Sequence, residues 1–183
     1  YDLSSITPKD HVAALSWTAL TDKDTTVSAV IDLMLSQNVN NGLTALESFY
    51  APSVNFLLVD SEKMVIKTVG KMPKRSPLNE TQGRMPSLGW KPENNWRGYW
   101  GFEVNPMIKS SPGDVLANTN NKMSDENFPK HVSHFWGDTQ RILRLQKLMQ
   151  NREVHTRESF IEAQLDTVSP TARALLPIIG SEL

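Results

Sequence analysis

Between residues 70 and 112 the chain is so rich in Pro, Gly, Asn and Trp that no long helix or strand can pass through it. Pro removes a backbone donor and Gly weakens any regular element it sits in. An irregular stretch of this length inside a compact domain is more often functional than idle. The regular elements therefore lie on either side of it.

On the N-terminal side, residues 1–20 are mixed and end in an apolar segment over 12–20. Residues 26–37, TVSAVIDLMLSQ, carry Val27, Val30, Ile31 and Met34 at the spacing of one helical face, with Asp22 or Asp24 as the cap. Asn40-Asn41-Gly42 reads as a break, and 43–50 as a second short helix before Pro52. The period then changes. Residues 53–60, SVNFLLVD, and 64–69, MVIKTV, read as strands joined by Ser61-Glu62-Lys63, and 114–119, DVLANT, as a third.

The C-terminal third returns to helical spacing. Residues 138–149 place Ile142, Leu145 and Leu148 or Met149 on one stripe, with Asp138 as N-cap. Thr156 caps a following helix, and Ser169-Pro170 reads as cap and first-turn proline of a last one. Helices, then strands and long loops, then helices make the class α+β. No internal repeat is visible, and residues 1–183 read as one fragment or domain. It is mainly helical over 1–50 and 121–183, with strands and long loops over 51–120.

Composition removes several function classes. There is no cysteine, which excludes disulfides, thiolate metal sites and Cys nucleophiles. Nineteen basic residues stand against twenty acidic ones, so the chain lacks the basic excess of a nucleic-acid binder. No apolar run reaches the roughly 20 residues needed to span a bilayer, and no signal-peptide pattern opens the chain. It opens on Tyr1 without an initiator Met, as expected of a processed or truncated protein.

Taken residue by residue, the chemistry stays open. Asn118, Asn120 and Asn121 read either as loop residues bonding their own backbone or as amide donors. Arg141 reads as a helix-surface residue beside Arg144 and Lys147, or as a fixed guanidinium with five donors. Val54 reads as strand core or pocket wall, and Phe56 and Leu58 as core. His131 and His134 are three apart, but no further ligand pattern surrounds them. Ser4-Ser5, Ser76 and Ser110-Ser111 lack a nucleophile-elbow context, and Asn79-Glu80-Thr81 is a glycosylation sequon by pattern only.

Seven segments, in chain order, resemble the penicillin acylase (penicillin amidase) family of N-terminal-nucleophile hydrolases. Residues 15–20, LSWTAL, resemble the family's LSLRWTAL, and 52–60 resemble PxQNxxYAD. Residues 70–75 resemble GxxPxR, and 96–106 resemble WxGxxPFExNP. Residues 117–121 with Phe128-Pro129 resemble ANxNN…YP, 136–142 resemble WxxxxRI, and 166–177 resemble QxDxxSxxAxxLxP. The chain departs from the pattern where Glu62-Lys63 stand in the turn and Val54 precedes Asn55 in place of Gln. The family's N-terminal Ser and the strands after it are not among these residues.

The resemblance implies an internal piece of the large catalytic chain of an amidase, part of an αββα sandwich. It implies an N-terminal Ser, outside this chain, attacking an amide carbonyl with its own α-amine as base. The implied substrate is an N-acylated small molecule: a β-lactam side-chain amide, an acyl-homoserine lactone or another acylated amine. Asn120 matches the family's oxyanion-hole Asn, a donor worth about 2.7–4 kcal/mol to the transition state. Arg141 matches an Arg that positions the active centre, and Val54 and Asn55 lie where the family builds part of the acyl pocket. Tyr1 cannot be the nucleophile, so the isolated chain is expected to be inert. The implied partners are the small chain and the rest of the large chain of the same precursor, and the implied location is periplasmic or secreted. Many members bind a structural calcium ion. Here the stretch after Pro129 is Lys130-His131-Val132-Ser133, without an Asp, and Gly83 offers only a carbonyl, so no metal or other cofactor is assigned. The reading from a different class is a non-catalytic α+β binding or interaction module with a Trp-rich loop surface.

Overall fold

The computed structural model describes residues 7–110, 113–124, 133–137 and 139–180. Its helices are α1 (Thr26–Met34), α2 (Val39–Leu46), α3 (Gln140–Gln150), α4 (Arg157–Gln164) and α5 (Pro170–Ile179). Its strands are β1 (Val54–Val59), β2 (Met64–Val69) and β3 (Met107–Lys109), forming one sheet in the order β1-β2-β3. β3 runs antiparallel to β2, with Val65 opposite Lys109 and Lys67 opposite Met107. The class is α+β. The chain divides into two compact units, one of Tyr1–Phe56 with Thr68–Asn105, the other of Leu57–Lys67 with Pro106–Leu183.

In the first unit, the Asp24 carboxylate accepts the Thr26 amide at 2.9 Å. Thr26 Oγ1 then donates to the Ala51 carbonyl and accepts the amides of Tyr50 and Ala51, each at 3.1 Å. One hydroxyl thus ties the start of α1 to the chain entering β1. The stripe expected on α1 lies on the helix, on its exposed side. Ala29 is buried, whereas Val27, Ile31 and Met34 are 75%, 53% and 80% exposed. Nor do Asn40-Asn41-Gly42 break the chain. Asn38 Oδ1 accepts the Asn41 amide at 2.9 Å, and this cap carries α2 through all three residues, with Gly42 buried.

β1 and β2 lie where the pattern of branched and aromatic residues puts them. Their turn is made by Asp60, whose carboxylate accepts the amides of Glu62 and Lys63 at 2.8 and 2.9 Å. An Asx turn of this kind closes a tight link without glycine. The third strand is not 114–119 but Met107–Lys109, within the stretch expected to be irregular. Over 118–121 the Asn side chains bond local backbone instead, which competes with ladder formation.

The Pro- and Trp-rich segment is zipped onto itself through its backbone. The Lys74 amide donates to Gly98 O, the Arg97 amide to Lys74 O and the Trp100 amide to Met72 O, at 2.8–2.9 Å. Tyr99 meets the rings of Tyr50 and Trp96 edge-on. Asn105, buried, donates Nδ2 to Gly70 O at 3.0 Å. Gly70 holds φ +101°, and a Cβ there would stand 2.9 Å from Ser53 Cα, so only glycine fits.

In the second unit α3 begins at Gln140 after Thr139; Asp138, the expected cap, lies outside the described residues. Ile142 and Met149 are its buried residues, and Leu145 and Leu148 are half-buried. Thr156 and Ser159 exchange side-chain and backbone bonds in a capping box that starts α4. Ser169 Oγ accepts the Ala172 amide at 3.1 Å and Pro170 fills the first turn of α5. Among the described residues no helix is long and apolar enough to cross a membrane.

Candidate active site

The second unit brings Asn120 and Arg141 together. The Asn-rich turn is built by its own side chains: Asn118 Oδ1 accepts the Asn120 amide at 3.0 Å, and Asn121 Oδ1 accepts the Thr119 amide at 3.0 Å. Asn120 sits at the outer corner, exposed, with φ +68°. That left-handed conformation is one Asn adopts more readily than most residues.

Arg141, in the first turn of α3, reaches this corner with one guanidinium nitrogen. Its Nη2 donates to the Thr119 carbonyl and to Asn120 Oδ1, the latter at 3.1 Å. A guanidinium is only a donor, so the Asn120 atom facing it must be the amide oxygen. The NH2 end of Asn120 is thereby turned away from Arg141, and among the described residues it meets no acceptor. The corner presents a side-chain amide donor whose orientation is set by a permanent positive charge.

Arg144, one turn further along α3, forms a second fixed contact. Its Nε and Nη2 donate to Asp166 Oδ2 and Oδ1 at 3.0 and 2.5 Å, with the side chains 19% and 14% exposed. The bond from Arg144 holds the Asp166 carboxyl below the usual carboxylate range, helped by the Val168 amide and the Arg173 charge against the opposing cost of burial. Asp166 in turn raises Arg144. Sequence reading treated Arg144 only as a surface neighbour of Arg141. The available signal was its place three residues after Arg141, on the same side of a helix.

Val54 and Asn55 belong to β1, in the first unit. Val54 stands 37% exposed at the start of the strand, while Phe56 and Leu58, on the same strand face, are half-buried. The Phe56 ring meets Phe49 edge-on at 5.6 Å. Asn55 points to the other strand face and accepts the Thr68 hydroxyl at 2.7 Å. His131 lies outside the described residues.

No group of three His, Asp or Glu among the described residues is arranged to hold a metal ion, and the Arg75 guanidinium lies against Gly83.

The sequence and fold match known proteins. The family model described as penicillin amidase matches residues 3–183. An acyl-homoserine lactone acylase, QuiP, of Pseudomonas putida is 27% identical over 152 residues, covering 83% of this chain and 18% of that protein. The protein of the same name from Pseudomonas syringae pv. syringae is 25% identical over 152 residues, again 83% of this chain and 18% of that protein. A thermostable penicillin G acylase from Alcaligenes faecalis shares the fold with a TM-score of 0.68 at 18% identity, over 87% of this chain and 29% of that one. The chain spans less than a fifth of the length of the curated relatives it matches.

Proposed function

The chain belongs to the penicillin amidase family, and from that premise we propose that it is part of an acylase that hydrolyses the amide bond of an N-acylated small molecule. A relative named as an acyl-homoserine lactone acylase supports this reading, and the substrate we propose is a β-lactam side-chain amide, an acyl-homoserine lactone or a similar acylated amine. The nucleophile in this reading is an N-terminal Ser that is not among these residues. The remainder of the same precursor completes the enzyme, in the periplasm or outside the cell.

In the proposed reaction the hydroxyl of the N-terminal Ser gives its proton to that Ser's own α-amine, and its oxygen bonds to the amide carbon. The carbonyl electron pair moves onto oxygen, producing a tetrahedral oxyanion. Asn120 Nδ2 donates to that oxygen. Collapse breaks the C–N bond, the amine leaves with the proton, and water hydrolyses the acyl-enzyme to the free acid and Ser. Val54 is assigned to a wall of the acyl pocket, while Asn55, on the other strand face, is bonded to Thr68. The observation that carries the reading is the Arg141–Asn120 bond, because it selects which end of the amide is free to donate.

The test uses the full-length, processed protein. Asn120→Ala should lower kcat by about 10²–10³-fold and change KM little, since the donor acts on charge that develops in the transition state. Val54→Ala should instead raise KM and alter which acyl chains are accepted, by about 1–3 kcal/mol per lost apolar contact. An Asn120→Ala enzyme with kcat within about threefold of wild type, far short of the donor range, would sink the assignment.

A further inference from the structure

We propose that the Arg144–Asp166 ion pair is a positioning device: it fixes the rotation of α3 about its axis and so aims Arg141 at Asn120. The proposal rests on the reading of Asn120 as an oxyanion donor.

α3 is held by apolar contacts and by one ion pair. Its buried side chains, Ile142 and Met149, lie seven residues apart on one face. Apolar contacts are not directional and tolerate a small roll of the helix. A two-pronged bond from a planar guanidinium to a carboxylate does not tolerate it, because both prongs must stay in line. Arg144 makes such a bond, and its partner is held in turn, since Asp166 also takes the Val168 backbone amide and faces Arg173 of α5. Asp166 follows α4 closely, and three residues later Ser169 caps α5. The anchor of α3 is therefore the connection between the two following helices.

The lever is short. Arg141 and Arg144 leave α3 on the same side. With helix Cα atoms about 2.3 Å from the axis and a side chain reaching about 6 Å further, a roll of about 10° moves the Arg141 guanidinium by about 1.4 Å. That is enough to part it from Asn120 Oδ1, now at 3.1 Å. Catalytic groups need placement within about 0.5 Å, so the loss would reach the reaction.

The experiment measures kcat, KM and Tm for Asp166→Asn and Arg144→Lys in the full-length, processed enzyme, each alone and combined with Asn120→Ala. Asp166→Asn keeps the shape and removes the charge; Arg144→Lys keeps the charge and removes the fork. Each single variant should lower kcat about tenfold or more with KM within about twofold, and neither should lower kcat further once Asn120 is Ala. The proposal is overturned if the losses are the same with and without Asn120, which marks a general structural role. It is equally overturned if kcat holds in both variants while Asn120→Ala collapses it, a result that leaves the donor reading standing. If Asn120→Ala itself keeps kcat, the donor reading fails and takes the clamp with it. If neither variant matures into processed enzyme, the pair is a folding element and the positioning role is rejected.

Discussion

Asn120 combines two demands that only a few side chains meet at once: a left-handed backbone and an amide whose oxygen is taken by a guanidinium. The two can be separated. Asn120→Gly keeps the backbone free of strain but removes the amide, whereas Asn120→Asp keeps an oxygen for Arg141 and removes the NH2. Both variants should hold Tm near wild type, and Asn120→Asp should still lose kcat about 10²–10³-fold. Parallel thermal unfolding and kinetics check this; an active Asn120→Asp enzyme would show that no donor is needed there. The nearness of Asn120 and Arg141 was legible only because separate segments matched one family in order, since a separation of 21 positions says nothing about contact. The Thr119 carbonyl, which shares the same guanidinium, could not be read at all, because every residue carries one.

Elements were legible where local chemistry decides them. The caps Thr156 and Ser169 are set by hydroxyls within three residues of the amides they accept, and both appear as the sequence suggests. The spacing of the α1 stripe located the helix but not its burial, because an apolar face reports a need for cover and not what supplies it. β3 was missed because its three residues pair with residues 40 to 44 positions away. The tie between α3 and the α4–α5 connection has a pH signature. Arg144 holds the Asp166 carboxyl below its ordinary value of about 3.9, so the stabilisation is complete above that value and is lost as pH falls through the depressed one. The Tm gap between wild type and Asp166→Asn should be steady from neutral pH to about 4 and close below it. A gap that grows in acid would contradict the ion pair.

At the scale of the whole molecule, two helices show apolar side chains to solvent. α1 exposes Val27, Ile31 and Met34, and α5 exposes Leu175, Leu176 and Ile178. Exposed apolar patches usually mark contact surfaces. In the full-length protein Ile31→Glu should therefore cut the yield of processed enzyme and lower its stability by about 1–3 kcal/mol, the cost of burying an unmatched polar group. An effect within about 0.5 kcal/mol would mean that this face of α1 stays in water.

The chain passes from one unit to the other after Phe56, after Lys67 and again after Asn105. Neither unit is a single run of sequence, which has a consequence for synthesis. The first cannot close until residue 105 has left the ribosome, and the second must keep its 57–67 piece waiting until residues beyond 106 arrive. At about 5–20 residues per second that wait lasts seconds, far longer than a hairpin takes to form. An expression host that stalls between these crossings would leave a half-made unit with unpaired strand edges, so codon choice over residues 57–105 bears on yield as much as any side chain does.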